Sequence, residues 1–285
     1  MRAANPYDAA RMGSGNWNAW KAPVDELWEA AEDWRGSLGG VEYPWLCWNV
    51  SSEWSLLQQR LVAAVGWTPV VGWDPRVGPP PLVCGAVAVD FNHRFQFPVL
   101  KPHFVLEWVY RIAPRLAFWH SDLLCRLETL EQLAADFRAL PDGTTAAVPD
   151  LGPLGGIFSP RRRRYWELIG CTTAGASEAQ FTAGTGWWRH FGDHPMCTDP
   201  SERRLRSRYH YEFGVGIHYW KRRYGGRVVD IPLSLVAEGH CTSIGRPDYR
   251  RQTDKNALRN MSADLNCNFD LASEATRLGL GDFLR

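Results

Sequence analysis

In the first half of the chain, short apolar runs alternate with segments whose apolar residues recur at helical spacing. The short runs are residues 68–73, 82–89 and 115–119, and each is typical of a buried strand. Residues 54–65 and 127–137 instead space their apolar residues for one face of a helix. Because strands joined by helices pair in parallel and are covered on both faces, this alternation predicts an α/β fold with a mostly parallel central sheet.

Length and composition favour one domain with an arm and a tail. The 285 residues are 45% hydrophobic and 22% charged, with a mean hydropathy of -0.32, which is typical of a globular protein. Residues 1–22 are rich in Ala, Asn and Gly without periodicity, and we predict a loose arm. Residues 23–245 are predicted to form the α/β domain, with a more elaborate second half, and residues 246–285 a polar tail.

The sequence predicts a cytoplasmic protein that neither is exported nor spans a membrane. The first apolar stretches are interrupted by Asp8, Arg11 and Lys21, and no window approaches the ~18 uncharged apolar residues of a membrane span. The 7 cysteines are scattered without a Cys-x-x-Cys pair. This spacing disfavours a disulfide framework or a zinc ribbon, so we expect reduced thiols.

The positive charge lies mainly in the second half of the chain. The net charge is only +1, but Lys and Arg outnumber Asp and Glu over residues 151–285. Such an excess suits a local anion site for a diphosphate, and we predict that Arg163 and Arg164 of the run 161–164 contact it. A solvated loop is the common alternative for such a run. The charge is too weak to favour nucleic acid as the partner, although nucleic acid stays possible.

Polar residues follow the apolar strand 115–119 immediately. His120, Ser121 and Asp122 come where the strand ends, so the Asp122 carboxylate is presented at the edge of the predicted sheet. Mg²⁺ and Mn²⁺ prefer one or two protein carboxylates together with diphosphate oxygens. The pattern predicts a cation site at Asp122, with capping of the next turn or helix as the alternative role.

The segment around Asp122 resembles the metal-binding region of GT-A-type glycosyltransferases. In that family a helix leads into an apolar strand that ends in Asp-x-Asp, and here helices 101–112 and 128–140 flank the strand. His120 occupies the first acidic position, so only Asp122 matches the motif. The resemblance covers residues 60–245 as an order of elements. It implies a GT-A or Rossmann-like single domain that binds a nucleotide sugar with Mn²⁺ or Mg²⁺ across the strand ends.

The resemblance also assigns roles to a late histidine and to the residues before Asp122. GT-A enzymes often place a late histidine on the same metal or diphosphate, which implies that His240 binds the cation together with Asp122. His120 and Ser121 would then contact the diphosphate. Histidine is able to ligate a metal or donate to phosphate. A lone histidine is also common as a hydrogen-bonded structural group.

Aromatic and hydroxyl side chains in the second half of the chain suit a sugar pocket. Sugars stack on aromatic rings, while their edge hydroxyls need hydrogen-bonding partners. The residues that we predict to bind the substrates are Trp119, Thr172, Thr173, Trp187, Trp188 and His190. Alternatively, Trp187 and Trp188 straddle a helix, one buried and one at the surface.

Sugar transfer with inversion needs a base that takes the proton of the acceptor hydroxyl. Glu212 precedes the flexible sequence Gly214-Val215-Gly216 and is the predicted catalytic base. Asp90, after the strand 82–89, is its rival. The expected activity is transfer of a sugar from a nucleotide-diphosphate donor to an unknown acceptor.

Two other classes of function remain open. Histidines and carboxylates near strand ends could form the metal site of a hydrolase, although their spacing matches no compact ligand motif. These residues are Asp90, His93, His103, His120 and Asp122. Exposed aromatic residues without a convergent acid–base group would instead indicate a non-catalytic carbohydrate- or nucleic-acid-binding protein. Sharing of one ion requires that Asp122 and His240 lie within about a dozen ångströms of each other.

Overall fold

Seven strands and nine helices lie within the part of the chain that the computed structural model describes. The described residues are 24–75, 77–94, 102–150, 163–187, 199–206, 214–241 and 270–285. The strands are β1 (Pro44–Asn49), β2 (Thr68–Trp73), β3 (Val87–Ala88), β4 (Arg115–Trp119), β5 (Thr144–Asp150), β6 (Arg164–Thr173) and β7 (Arg227–Asp230).

The helices are α1 (Val24–Ser37), α2 (Ser52–Ala64), α3 (His103–Leu106), α4 (Val109–Ile112), α5 (Leu127–Ala139), α6 (Ala174–Thr182), α7 (Pro200–Arg206), α8 (Val215–Tyr224) and α9 (Leu271–Arg277). Short 3-10 turns cover Leu233–Leu235, Ala237–Gly239 and Gly281–Leu284. None of these helices has both the length and the apolar character needed to cross a membrane.

The strands form a single sheet in the order β3-β2-β1-β4-β6-β5-β7. Four of the six neighbouring pairs are parallel, and β6 runs antiparallel to both of its neighbours, β4 and β5. The predicted α/β class with a mostly parallel sheet is therefore confirmed. The carboxyl ends of β1, β2, β3 and β4 share one edge of the sheet, and the reversed β6 begins at that edge.

Helices cover both faces of this sheet, as the alternation of segments predicts. On one face α2 and α5 pack with the aromatic residues Trp45, Trp67, Trp119 and Phe137. Helices α1, α3, α4 and α8 pack on the other face. The described end of the chain joins the first face, where Ala275 of α9 is buried. That part of the predicted tail is therefore packed against the sheet.

The central strand β1 has no counterpart in the sequence prediction, whereas the predicted strand 82–89 is mostly absent. Every residue of β1 is buried. Its sequence, Pro-Trp-Leu-Cys-Trp-Asn, contains no β-branched residue, and burial on both faces removes the alternation that marks half-buried strands. Of residues 82–89 only β3 is a strand. Gly85 just before it has a φ of 81°, in the left-handed region, which ends extended backbone.

Three predicted helices are shorter in the structure. The predicted helix that precedes the strand 115–119 is divided into α3 and α4. Residues 177–191 also predict a helix, broken by Gly184 and Gly186, and here α6 ends at Thr182. The sequence also predicts one helix over 200–223 with weak points at Gly214 and Gly216. This prediction is wrong, because Gly214 has a φ of 73° and directly precedes α8. A left-handed residue is incompatible with a continuous right-handed helix.

Candidate metal centre

The polar residues that follow β4 meet His240 at the carboxyl edge of the sheet. Asp122 Oδ1 lies 3.4 Å from His120 Nδ1 and 3.3 Å from His240 Nε2, and the two ring nitrogens are 3.3 Å apart. An ion about 2.1 Å from each of three ligands separates them by about 3.0 Å at octahedral and about 3.4 Å at tetrahedral angles. The triangle therefore has the dimensions of a three-ligand metal site.

Backbone hydrogen bonds join the two segments that carry these residues, although His240 lies 120 residues after His120. Leu124 N donates to Gly239 O at 3.0 Å, and Cys241 N donates to Asp122 O at 2.9 Å. These bonds form a short antiparallel bridge. Asp122 and His240 are thus held side by side by the main chain and not by their side chains alone.

Close packing restricts both sides of this bridge. A Cβ atom on Gly239 would lie 1.7 Å from Leu124 O, so no other residue fits there without a backbone shift. The buried side chain of Gln58, on α2, donates from Nε2 to His120 O at 2.7 Å and to Leu123 O at 2.9 Å. The chain that leaves β4 is therefore anchored to the helix that follows β1.

The last described helix, α9, braces the segment before His240. Arg277 donates to Glu238 O at 2.7 Å. The Glu238 carboxylate pairs with Arg126, with its two oxygens 2.6 and 3.3 Å from the guanidinium. These contacts fix the 3-10 turn that leads to His240, so residues near the end of the chain contribute to the geometry of the site.

The electrostatics of the cluster keep Asp122 ionised. Burial acts to raise the pKa of Asp122, but the charge and hydrogen bonds of His240 and His120 outweigh it and hold this pKa well below 3.8. Burial acts to lower the pKa of His120, whereas hydrogen bonds with Asp122 and Glu167 raise it to about 10. A cation that binds here therefore meets an ionised carboxylate and competes with a proton for the nitrogen of His120.

The donor set narrows the choice of cation. Two imidazole nitrogens and one carboxylate oxygen suit Mn²⁺, Fe²⁺ or Zn²⁺ better than Mg²⁺, which prefers oxygen ligands. The side chains of Asp122 and His240 are largely buried, whereas 29% of the His120 side chain is exposed. The cluster is therefore open to solvent near His120, where a ligand has access to an ion.

The sequence prediction assigned His120 and Ser121 to the diphosphate, and the structure places His120 Nδ1 among the three convergent donor atoms. The signal for this position was its place at the end of an apolar strand, two residues before Asp122. Glu167 contacts the other ring nitrogen, with Oε1 3.2 Å from His120 Nε2. Sequence reasoning missed Glu167, because it lies within the apolar run 166–171.

Thr172 and Thr173 lie at the opposite edge of the sheet from this cluster. From the sequence they are predicted to line the substrate pocket, because hydroxyl groups at a strand end suit a sugar. Thr173 pairs with Arg115, the first residue of β4, because β6 is antiparallel to β4. The reversal of β6 therefore separates both threonines from Asp122 by the length of β4.

Two of the tryptophans predicted to bind substrate are core residues. Trp119 is 1% exposed and packs against Trp45 with ring centroids 5.5 Å apart. Trp187 is fully buried and packs edge-on against Phe118 at 5.1 Å. Their rings fill the two faces of the sheet, so in the described structure neither presents a surface to a ligand.

Of the remaining predicted site residues, Asp90 is separated from the cluster, Arg164 is already paired, and three lie outside the described residues. Asp90 follows β3 and is exposed, but β3 is three strands from β4, which corresponds to about 14 Å. Arg164 pairs with Asp150 at 3.0 Å, and Arg163 directly precedes β6. The residues outside the described part are Trp188, His190 and Glu212.

The described site is thus a compact set of two imidazoles and one carboxylate, buried on one side and open on the other. It lies where the carboxyl ends of parallel strands meet, which is the usual position of ligands in such sheets. Neither a protein-family model, nor a curated protein, nor a solved structure matches this chain.

Proposed function

We propose that this protein is a metal-dependent glycosyltransferase of the GT-A type, which transfers a sugar from a nucleotide-diphosphate donor to an acceptor. The observation that carries the proposal is the convergence of His240 on Asp122, with the closest atoms 3.3 Å apart. A late histidine on the cation of the strand-end carboxylate is what the resemblance implies. The seven-stranded, mostly parallel sheet supports the proposal, because nucleotides bind at the carboxyl ends of such strands.

The chain's own residues have distinct roles in this mechanism. Asp122 supplies the charge that binds the cation, and the imidazoles of His120 and His240 complete three ligand positions. When bound, the cation neutralises the charge that develops on the leaving nucleotide diphosphate. The buried side of the cluster keeps water away from Asp122 and His240, while the exposed side near His120 receives the donor.

A basic side chain at the same edge suits the phosphates of the donor. Arg163 precedes β6, and β6 begins at the carboxyl edge of β4 because the two strands are antiparallel. The Nε of Arg163 is buried and has no hydrogen-bond partner among the described residues. Arg164 is already paired with Asp150. We therefore assign phosphate contact to Arg163 and keep Glu212 as the proposed base for the acceptor hydroxyl.

A thermal-unfolding screen of nucleoside diphosphates with and without Mn²⁺ tests this function. We expect one nucleotide, together with Mn²⁺, to raise the unfolding midpoint by about 5 °C at a hundredfold excess over its Kd, more than either raises it alone. Asp122→Asn should abolish the joint effect. Asp136→Asn, which changes an exposed carboxylate on α5, should preserve it. Mn²⁺ binding without stabilisation by any nucleotide would overturn the glycosyltransferase proposal.

A metal-dependent hydrolase is the second candidate, and the donor set is the observation that favours it. Two histidines and one carboxylate, with a position open to water, are the ligands of many catalytic zinc sites. This donor set binds Zn²⁺ more tightly than Mn²⁺ in either case. In a hydrolase, nucleoside diphosphates would not enhance metal binding, and activated esters would be cleaved. Coupled binding of nucleotide and metal would therefore indicate the glycosyltransferase, and metal binding that nucleotides do not enhance would indicate the hydrolase.

A further inference from the structure

His120 has a carboxylate on each side of its ring. Nδ1 faces the ligand triangle, 3.4 Å from Asp122 Oδ1 and 3.3 Å from His240 Nε2. Nε2, on the other side of the ring, lies 3.2 Å from Glu167 Oε1. The donor directions of the two ring nitrogens diverge, so Glu167 cannot share the ion with Nδ1. Glu167 contacts the ring at Nε2, on the side away from the ligand triangle.

A bulge in β6 brings Glu167 to this position. The pairing of β6 with β5 shifts register, so that residues 167–169 have no partner on β5. Of these residues Ile169 stays paired with Trp119 of β4, and beyond it His120 N donates to Leu168 O at 2.8 Å. Bulges of this kind aim a side chain away from its regular direction and are frequent next to functional sites. The Glu167 carboxylate is consequently turned toward the imidazole.

The burial of Glu167 indicates a specific role. Only 12% of its side chain is exposed, and it lies between Trp166 and Leu168, which contribute to the apolar core. Burying a carboxylate costs free energy unless it is paired. In many metal centres a ligating histidine donates its second ring N–H to a buried carboxylate, which fixes the tautomer and the ring orientation. Glu167 and His120 have this arrangement.

We propose that Glu167 is a positioning residue of the metal centre: it accepts the Nε2–H of His120 and thereby directs the unprotonated Nδ1 toward the cation. This inference rests on the proposed metal site, but not on which group the protein transfers. Without Glu167 the ring is able to rotate or to adopt the other tautomer. Loss of such an outer partner weakens metal binding by about 10–100-fold, while Asp122 and His240 remain in place.

Two substitutions at Glu167 test the proposal, with Mn²⁺ affinity measured by calorimetry and by the Mn²⁺ electron paramagnetic resonance signal. Glu167→Gln keeps an oxygen that accepts from Nε2, so we expect affinity within a few-fold of the parent protein. Glu167→Leu removes the acceptor and should weaken binding about 10–100-fold. Glu131→Leu changes an exposed carboxylate on α5 and serves as the control. Partial rescue by glutamine separates positioning from bulk packing.

A second measurement uses the parent protein and does not depend on the folding of a variant. With Zn²⁺ bound, ¹⁵N chemical shifts of the His120 ring should show a metal on Nδ1 and a proton on Nε2. Coordination through Nε2 would overturn the proposal. So would a Glu167→Leu protein that binds Mn²⁺ within twofold of the parent while His120→Ala loses binding. If His120→Ala itself retained full affinity, the composition of the metal site would be wrong instead.

Discussion

The two ends of strands β4 and β6 both bury polar side chains, but these side chains interact differently at each end. At the carboxyl end of β4 the polar groups are ionisable: His120, Asp122, Glu167 and His240. At the other end the fully buried ones are neutral, although the charged Arg115 and Asp142 lie beside them. These buried neutral residues are Thr144, Thr145, Thr172, Thr173 and Gln180. The neutral groups bond to one another, since Gln180 Nε2 donates to Thr145 Oγ1 at 3.0 Å. The ionisable groups instead direct three donor atoms at a common point.

This difference shows that burial of polar groups does not by itself mark a site. Thr173 Oγ1 accepts from Thr144 N and donates to Thr144 O, both at 3.1 Å, so the capacity of this hydroxyl is used within the fold. The cluster around Asp122 depends on a carboxylate between two imidazoles, an arrangement that a divalent cation would complete. We therefore expect changes at one end to affect ligand binding and changes at the other to affect stability alone.

The largest effect is expected for Gly239→Ala, which acts on the ionisable end through the backbone. The new Cβ would lie 1.7 Å from Leu124 O, so the bridge that holds His240 beside Asp122 must open. We expect a loss of about 2–3 kcal/mol in the free energy of unfolding. Mn²⁺ affinity should also fall at least tenfold. Urea unfolding and calorimetric titration measure the two effects.

Gly281→Ala is the matched control for this change. A Cβ at Gly281 meets no atom within 4 Å, so stability and metal affinity should stay close to those of the parent protein. If Gly239→Ala bound Mn²⁺ as tightly as the parent, positioning by the bridge would be unnecessary. The contrast between the two ends of the strands would then rest on side chains alone.

The location of the ionisable end could be predicted from the sequence, but its composition only in part. An apolar run that ends in His120-Ser121-Asp122 presents polar groups at a sheet edge in any fold of this class. The link to His240 came from the family resemblance, since 120 residues separate it from His120. Glu167 gave no signal, because it reaches the site through a shift in strand register, which no local pattern encodes.

The assignment of Thr172 and Thr173 to the site is wrong because the sequence does not give the direction of their strand. A strand pattern gives the faces of a strand but not its direction, which depends on the connection that precedes it. Residues 164–173 resemble the other apolar strands in composition, yet β6 is reversed in the sheet. Their hydroxyl groups therefore lie at the neutral end. The central strand β1 was missed because uniform burial leaves no alternation to detect.

The next effect concerns pH, and it compares the imidazoles of His120 and His218. Carboxylates on both sides raise the pKa of His120 to about 10. Burial of His218, on α8, lowers its pKa to about 4, with further lowering by Arg222, Arg163 and Lys221 that the Asp230 carboxylate offsets only in part. In the unfolded chain His218 has the ordinary histidine pKa near 6.5. Below that pH the unfolded chain therefore takes up a proton at His218 that the native protein does not.

Because of His218, the free energy of unfolding should therefore fall by on the order of 2 kcal/mol as the pH is lowered from 6.5 to 4. His218→Gln should remove this part of the pH dependence without changing Mn²⁺ affinity at pH 7.5. Urea unfolding of both proteins at several pH values measures the difference. Identical pH profiles would show that His218 is protonated in the native state as readily as in the unfolded chain.

The smallest effect is expected for Thr173→Val, at the neutral end. Valine has nearly the same shape but leaves Thr144 N without the acceptor that lies 3.1 Å away. The loss of one buried hydrogen bond should cost about 1 kcal/mol in the free energy of unfolding. Mn²⁺ affinity should not change, because the length of β4 separates Thr173 from Asp122. A weaker affinity in this variant, measured by the same titration, would mean that the two ends are coupled through the strands.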